Sequence, residues 1–384
     1  MSPTDGPDAD RLFQIFHDLA KIPSESGHEG RVRDYIKEFC IGLGFAVHED
    51  AAAASTGGEC GNMVVRVPAG AFLPLSPVIL CAHIDTVRPA EGVIPFDAGD
   101  RFISISETVL GADCKAGVAA ILASVESLAR NGGTYRALEL IFTVQEERSL
   151  VGARHLDMSL VDGEWGLVLD GSGPVGGIVV EAPSQDRFKF VVDGRAAHAG
   201  VEPEKGVNAI ACAANAISGL RLGRLDGGTT SNIGIISGGV AINIVPERAE
   251  VHGELRSLSP AKLDEERQIV IESFERAAEE AGCGLQTEVE RCFEHFKLRP
   301  DSLPVRCLAA ALKACDYEPS LGASGGGSDA NIFNAAGLPI AVMNIGLEKA
   351  HTKDEFIMKD EMMGVARVVT QFAYLAAGER EGPS

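Results

Sequence analysis

A chain of 384 residues is long enough for two domains, and a hydrophobic content of 45% is that of an ordinary globular protein. Its 34 Lys and Arg against 55 Asp and Glu give a net charge of −21, which repels phosphate backbones, argues against nucleic-acid binding and suits a protein that concentrates metal cations. No stretch reaches the roughly 18 apolar residues needed to span a bilayer. The N-terminal MSPTDGPDADR is polar and acidic, and the nine cysteines are odd in number with no CxxC pair, so no membrane partner, no disulfide framework and a cytoplasmic location are expected.

In chain order, Leu12, Ile15, Phe16 and Leu19 at helical spacing predict a helix over 8–20. A loop at 23–28 leads to a second amphipathic helix over 29–43, with Val32, Tyr35, Ile36 and Phe39 on one face and Gly44 as its stop. Strands are expected at 45–49 and 62–67, and AAAASTGGECG between them reads as an exposed connection. The apolar run from Val78 to Ala82 is a buried strand that ends in His83-Ile84-Asp85. Side chains two apart on a strand share a face, so His83 and Asp85 point the same way. A hairpin is expected around 97–101. Gly111-Ala-Asp-Cys-Lys-Ala-Gly117 opens a helix to 130, with Val118, Ile121, Leu122, Val125 and Leu128 on its apolar face. Apolar strands over 138–144 and 165–169 end in Gln145-Glu146-Glu147 and in Asp170. Helices alternating with buried strands predict an α/β sheet covered on both faces.

The pattern changes near residue 182. Strands at 187–193, 230–237, 247–256 and 285–292 and helices at 205–220 and 261–281 follow the order β-α-β-β-α-β, the ferredoxin-like arrangement. The expected organisation is a catalytic α/β domain made of 1–181 and 293–384, interrupted by an inserted α+β domain at 182–292. The second part holds a helix over 303–314, a glycine run, a strand over 340–344 and a last helix over 359–377.

Five dispersed positions are candidate metal ligands: His83, Asp113, Glu147, Asp170 and His351. Mixed imidazole and carboxylate ligands suit zinc, cobalt or manganese. Two His and three carboxylates suffice for two ions about 3.5 Å apart if one carboxylate bridges them. Singly, each has a plainer reading as a hydrogen-bonded strand end or a cap. Their joint placement is what counts, because His83, Glu147 and Asp170 all terminate apolar strands. Adjacent carboxylates at the end of a buried strand repel each other without a cation. Of Glu146 and Glu147, one can hold metal while the other faces a bound water as general base.

The motifs AHIDTV (82–87), GADCKAG (111–117), VQEERSLVGA (144–153), LVLDG (167–171) and AHTKDEF (350–356) resemble those of the zinc peptidase family that includes peptidase T, glutamate carboxypeptidase and aminoacylase. The likeness spans nearly the whole chain and is nearest to the peptidase T-like branch. It implies a phosphorylase/hydrolase-like catalytic domain for a di-metal centre, with the inserted ferredoxin-like domain serving as lid and dimerisation domain. It implies two Zn2+ per chain, with Co2+ or Mn2+ as substitutes. By the same resemblance His83 and Asp170 hold one ion, Glu147 and His351 the other, and Asp113 bridges. Glu146 is the base, and Asp85 orients the His83 ring. In the inserted domain, Arg195-Ala-Ala-His198-Ala-Gly200 is similar to a motif whose His reaches the partner subunit's active site in a homodimer and stabilises an oxyanion. Asn232 and Arg256 match residues that hold a substrate carboxylate, with an edge-strand salt bridge the competing reading for Arg256. Ser324-Gly-Gly-Gly-Ser-Asp329 resembles a substrate loop, which adds Gly326 and Ser328. The chain departs from the family at Cys114, where relatives carry a second acid and where the preceding peptide bond is often cis. A small apolar filler is the plainer reading of that thiol, a soft ligand or an oxidation-sensitive group the other.

The resemblance implies a di-zinc metallopeptidase of short peptides, tripeptidase-like and acting from the amino end. The alternative is an N-acyl-amino-acid deacylase or a carboxypeptidase of the same family. Gly171-Ser-Gly-Pro-Val-Gly176 satisfies the dinucleotide pattern after a strand. However, Pro174 intervenes and a strand follows where a helix N-terminus is required, so a nicotinamide enzyme is rejected. A non-catalytic binding protein on this fold would be expected to lack some ligand or Glu146, and all are present.

Overall fold

The computed structural model describes residues 6–379. These form two compact units, one of the residues up to Glu181 with Lys297–Ala323 and those from Ser328 on, the other of Ala182–Phe296 with Ser324–Gly327.

The first unit is built on a mixed sheet whose centre is four parallel strands, in the order Leu138–Thr143, Val78–His83, Gly166–Ser172, Ile340–Glu348. Antiparallel strands Met63–Val67 and Ala46–Glu49 extend one side. Phe356–Met358 and the hairpin of Arg101–Ser104 with Pro95–Asp97 extend the other. Alternate residues of the central strands (Leu80, Leu140, Leu167) join a core with the helices Ala9–Ala20, Ala112–Asn131 and Lys359–Ala376. The intervening residues Ile79, Cys81, Ile141 and Val168 are equally buried, on the side of the helix Asp329–Ala335, whose Asp329 meets the Cys81 thiol. Burial on both faces is why these strands read as unbroken apolar runs.

Two expectations need correction. Residues 51–61 are not merely an exposed connection: Ala52–Thr56 is a helical turn, with Ala52 and Cys60 buried. Asp50 Oδ1 takes the amides of Ala52 (3.0 Å) and Asn62 (2.8 Å) and so folds the segment back on itself. The helix expected from 205 begins at Ala209, because Pro203–Lys205 is a separate tight turn and the Asn208 side chain accepts the Ala211 amide as N-cap.

The second unit is an antiparallel sheet in the order Gly223–Arg224, Thr229–Gly238, Arg248–Ser257, Ser184–Asp193, Gly284–Phe293. Helices Ala209–Ser218 and Pro260–Ala281 cover one face through Phe188, Phe190, Val192, Val251 and Leu255. Phe190 stacks on Phe274 at 3.9 Å between ring centroids. Apart from the two-residue edge strand this is the ferredoxin-like order. The other face is open and polar, a groove of about 600 Å³ whose lining includes Arg187, Asn232, His252 and Glu254.

Candidate metal centre

Because the central strands are parallel, their C-terminal ends share one edge of the sheet, the place where such folds put polar chemistry. His83 ends its strand, Glu146 and Glu147 follow Thr143, Asp170 lies near the end of the strand Gly166–Ser172, and His351 follows Glu348. His83 Nε2 lies 3.3 Å from Asp113 Oδ1 and 3.5 Å from Asp170 Oδ1. His351 Nε2 lies 3.2 Å from Asp113 Oδ2 and 2.9 Å from Glu147 Oε1. Asp113 therefore turns one oxygen to each imidazole, and each imidazole has a second carboxylate of its own. His83 is buried, while the His351 side chain is 54% exposed, so the group opens on that side.

Main-chain conformation sets these side chains. The helix Ala112–Asn131 does not start regularly: Gly111 is left-handed (φ 75°), Asp113 and Cys114 have non-helical angles, and the bond between them is cis. Gln145 is also left-handed (φ 51°), which turns the chain at the strand end and separates the directions of Glu146 and Glu147. The amides of this turn are bound by two buried acids. Asp85 accepts the amides of Glu146 (2.9 Å) and Glu147 (3.2 Å) and the Ser26 hydroxyl (2.6 Å). Glu29 accepts the amide of Gln145 at 3.1 Å. His83 Nδ1 is nearer the Asp85 main-chain oxygen (3.1 Å) than its carboxylate (3.4 Å). Asp85 thus acts on the Glu146–Glu147 turn as much as on the His83 ring.

The electrostatics are those of a crowded anionic cluster. Burial raises Glu146 well above the usual carboxylate range, with Asp170 adding to it, and pushes Asp170 up to about 7. Asp113 is depressed, since His351 and His83 overcome its burial. His351 is raised to about 10 by Asp113 and then Glu147. Burial opposes charge on His83, but Asp113, Asp170 and Asp85 more than reverse it. Without a cation these groups must share protons. His83 with Asp113 and Asp170, and His351 with Asp113 and Glu147, bring their ligand atoms within 4.8 Å of one another. Two imidazoles and three carboxylates so arranged are the donor chemistry of a borderline-soft divalent ion. Cys114 also reaches the first group, but its buried thiol donates to the Leu169 carbonyl at 2.6 Å and is held neutral by burial. That is the behaviour of a small, hydrogen-bonded filler.

Several buried polar residues around the centre lie inside the motifs GADCKAG, AHTKDEF and the glycine run, and Lys115, Asp329 and Glu355 among them have no role that the sequence assigns. Glu355 accepts the amides of Gly111 (2.8 Å) and Asp113 (2.9 Å). Lys115 is 1% exposed, donates to the Ile22 carbonyl at 2.6 Å and is lowered to about 7 by burial. Asp329 accepts the Thr143 hydroxyl at 2.5 Å and is raised to about 6 by burial. Ser328, before it, caps its own helix, and its amide donates to Asn331 Oδ1 at 3.0 Å.

Of the residues expected in the inserted domain, His198 is exposed, in an isolated bridge to Ile244 just before a turn, and its Nδ1 accepts the Gly200 amide at 3.2 Å. Asn232 is exposed and pairs across the strands with Glu254. Arg256 forks onto the Glu254 carboxylate at 3.1 and 3.2 Å, the salt bridge that competed with a substrate role, and its guanidinium borders Gly326.

Residues 183–282 match the peptidase dimerisation domain, and residues 62–165 match peptidase family M28. An uncharacterised Bacillus subtilis (strain 168) protein, YqjE, is 36% identical over 96% of this chain and 98% of its own. The crystal structure of the aminopeptidase PepT from Bacillus cereus ATCC 10987 is 36% identical, with 97% of this chain and 99% of that one covered and a TM-score of 0.86. The chain belongs to the M20 peptidase family. A tripeptidase from Staphylococcus aureus subsp. aureus Mu50 agrees, at 33% identity, 97% and 100% coverage and a TM-score of 0.91. As an M20 peptidase it is a metal-dependent hydrolase of the peptidase T kind, with a catalytic domain and an inserted dimerisation domain.

Proposed function

We propose that this M20 peptidase is a tripeptidase-like aminopeptidase with two metal ions, zinc first, held by His83, Asp113 and Asp170 and by Asp113, Glu147 and His351. The observation that carries the reading is Asp113, whose two oxygens face two imidazoles, each with its own further carboxylate. The likeness to an aminopeptidase PepT and a tripeptidase supports the substrate class. Ions held there would acidify a water and polarise the scissile carbonyl. Glu146, buried and raised well above the usual carboxylate range by that burial, takes the proton of the attacking water and delivers it to the leaving amine. His198 from a partner subunit is assigned the oxyanion, and Asn232 and Arg256, with Gly326 and Ser328, the peptide's carboxylate.

A homodimer through the inserted domain is supported by its sheet edge. Beyond Ser231 no strand lines the outer side of Thr229–Gly238 among the described residues, and Ile235, Ile236, Val240 and Ile242 are exposed there. The nine free cysteines support a cytoplasmic location. No helix among the described residues is long and apolar enough to cross a membrane.

The test is hydrolysis of a tripeptide and its N-acetyl form, before and after chelation. An aminopeptidase cleaves the first only, loses activity to chelator and regains it with zinc or cobalt. Preferential cleavage of the acetylated form would instead make the enzyme a deacylase or carboxypeptidase.

A further inference from the structure

We propose that Glu355 is a positioning residue that fixes the main chain carrying Asp113 and ties it to the His351 loop, so that both ligands face the same ion. The inference rests on the reading of the centre as a two-metal site.

Each Glu355 oxygen has one amide, Oε2 that of Gly111 at 2.8 Å and Oε1 that of Asp113 at 2.9 Å. Glu355 is 2% exposed. Asp113 departs from helical geometry (φ −80°, ψ 105°), so no helical ladder holds it. Each amide meets a different oxygen, so the group must accept at both ends, which a carboxylate does; an amide side chain would turn its NH2 donor toward one of the two N–H groups. Glu355 also stands four residues after His351, which is itself left-handed at φ 64°. One side chain thus links ligand-bearing segments 242 residues apart in the chain. A carboxylate buried beside Asp113 adds to an already anionic cluster, an unfavourable placement for a residue whose task is only to fill space.

Replacing a group that orients a metal ligand typically lowers metal affinity by about 10–100-fold. The loss should fall mainly on the ion of His351, Glu147 and Asp113, where two ligands depend on Glu355, and less on that of His83 and Asp170. The experiment is calorimetric titration of metal-free protein with Co2+. Wild type should show two steps, and His351→Ala should remove one and so identify it. Glu355→Gln should weaken that step about 10–100-fold and the other clearly less, with turnover recovered at high Co2+. Two steps as in wild type, or equal losses in both, would overturn the proposal. No uptake by wild type is a different failure, that of the two-metal reading itself. Amide exchange on wild type guards against a variant that does not fold: Gly111 and Asp113 should exchange slowly in metal-free protein, and fast exchange at both overturns the proposal.

Discussion

Glu146 and Glu147 share a strand end and differ in what meets them. Glu147 reaches His351 at 2.9 Å, whereas Glu146 is buried, with an oxygen within 4.8 Å of a His83 ring nitrogen, and is raised by that burial and further by Asp170. The first arrangement suits a ligand and the second a base. Glu146→Gln keeps the shape and removes the proton acceptor. The expected outcome is unchanged metal content with turnover reduced about 10²–10⁴-fold, read by elemental analysis and steady-state kinetics on one sample. Normal turnover would remove Glu146 from the mechanism. Residue identity alone did not separate the two roles, since neighbouring acids look alike. The left-handed Gln145, held by Glu29, is what sends them in different directions.

At the scale of elements, strands and helices were legible because burial on one or two faces writes a period into the sequence. The helix Leu303–Ala314 and the strand Arg248–Ser257 follow that pattern closely. The turn at Ala52–Thr56 did not, as its order depends on Asp50 taking amides ten residues apart. Nor did the irregular start of Ala112–Asn131, whose amides are satisfied by Glu355 rather than by the helix. In the inserted unit, a buried Asp186 joins the strand Ser184–Asp193 to Arg291 on the neighbouring strand and to Arg267 on the helix, the latter at 2.9 Å. Asp186→Ala removes the buried partner of both guanidiniums and leaves them Asp264 and Glu294 at the surface. Because those partners remain, the loss is placed at about 1.5–3 kcal/mol, that of hydrogen bonds to a charged group. Denaturant unfolding should show that loss with the metal content of the first unit unchanged.

For the whole molecule, the acidic surplus has a consequence for stability. Burial first of all raises Glu29 and Glu355 from 4.5 to about 7 and Asp329 from 3.8 to about 6. A carboxyl whose pKa is higher in the folded state holds its proton more tightly there. Its contribution is full below the unfolded value and is lost as pH rises through the folded one. His351, raised from 6.5 to about 10, acts in the same sense over a higher window. Asp113 and Lys115 are depressed and act oppositely, but the contribution of Asp113 changes only below its usual 3.8 and that of Lys115 only above about 7. The Tm of metal-free protein should therefore fall as pH rises from about 5 to about 7. Calorimetry in chelator checks this, and a flat or rising Tm would refute it. Zinc should restore much of the loss, because an ion bound only by the folded state stabilises it and takes the place of the shared protons.

The sequence by itself determined the residue types and the elements that bear them: imidazoles and acids at the ends of apolar strands, a β-α-β-β-α-β insertion and a basic-poor composition. Side-chain chemistry and hydrophobic period are local, and a single chain displays them. Only the tertiary structure decided which oxygen of Asp113 meets which imidazole. It also decided that the Cys114 thiol spends its proton on Leu169 and that Glu29, Asp85 and Glu355 bind main-chain amides. Those pairings join residues up to 244 positions apart, and burial, which sets the strength of each, exists only once the sheet has assembled.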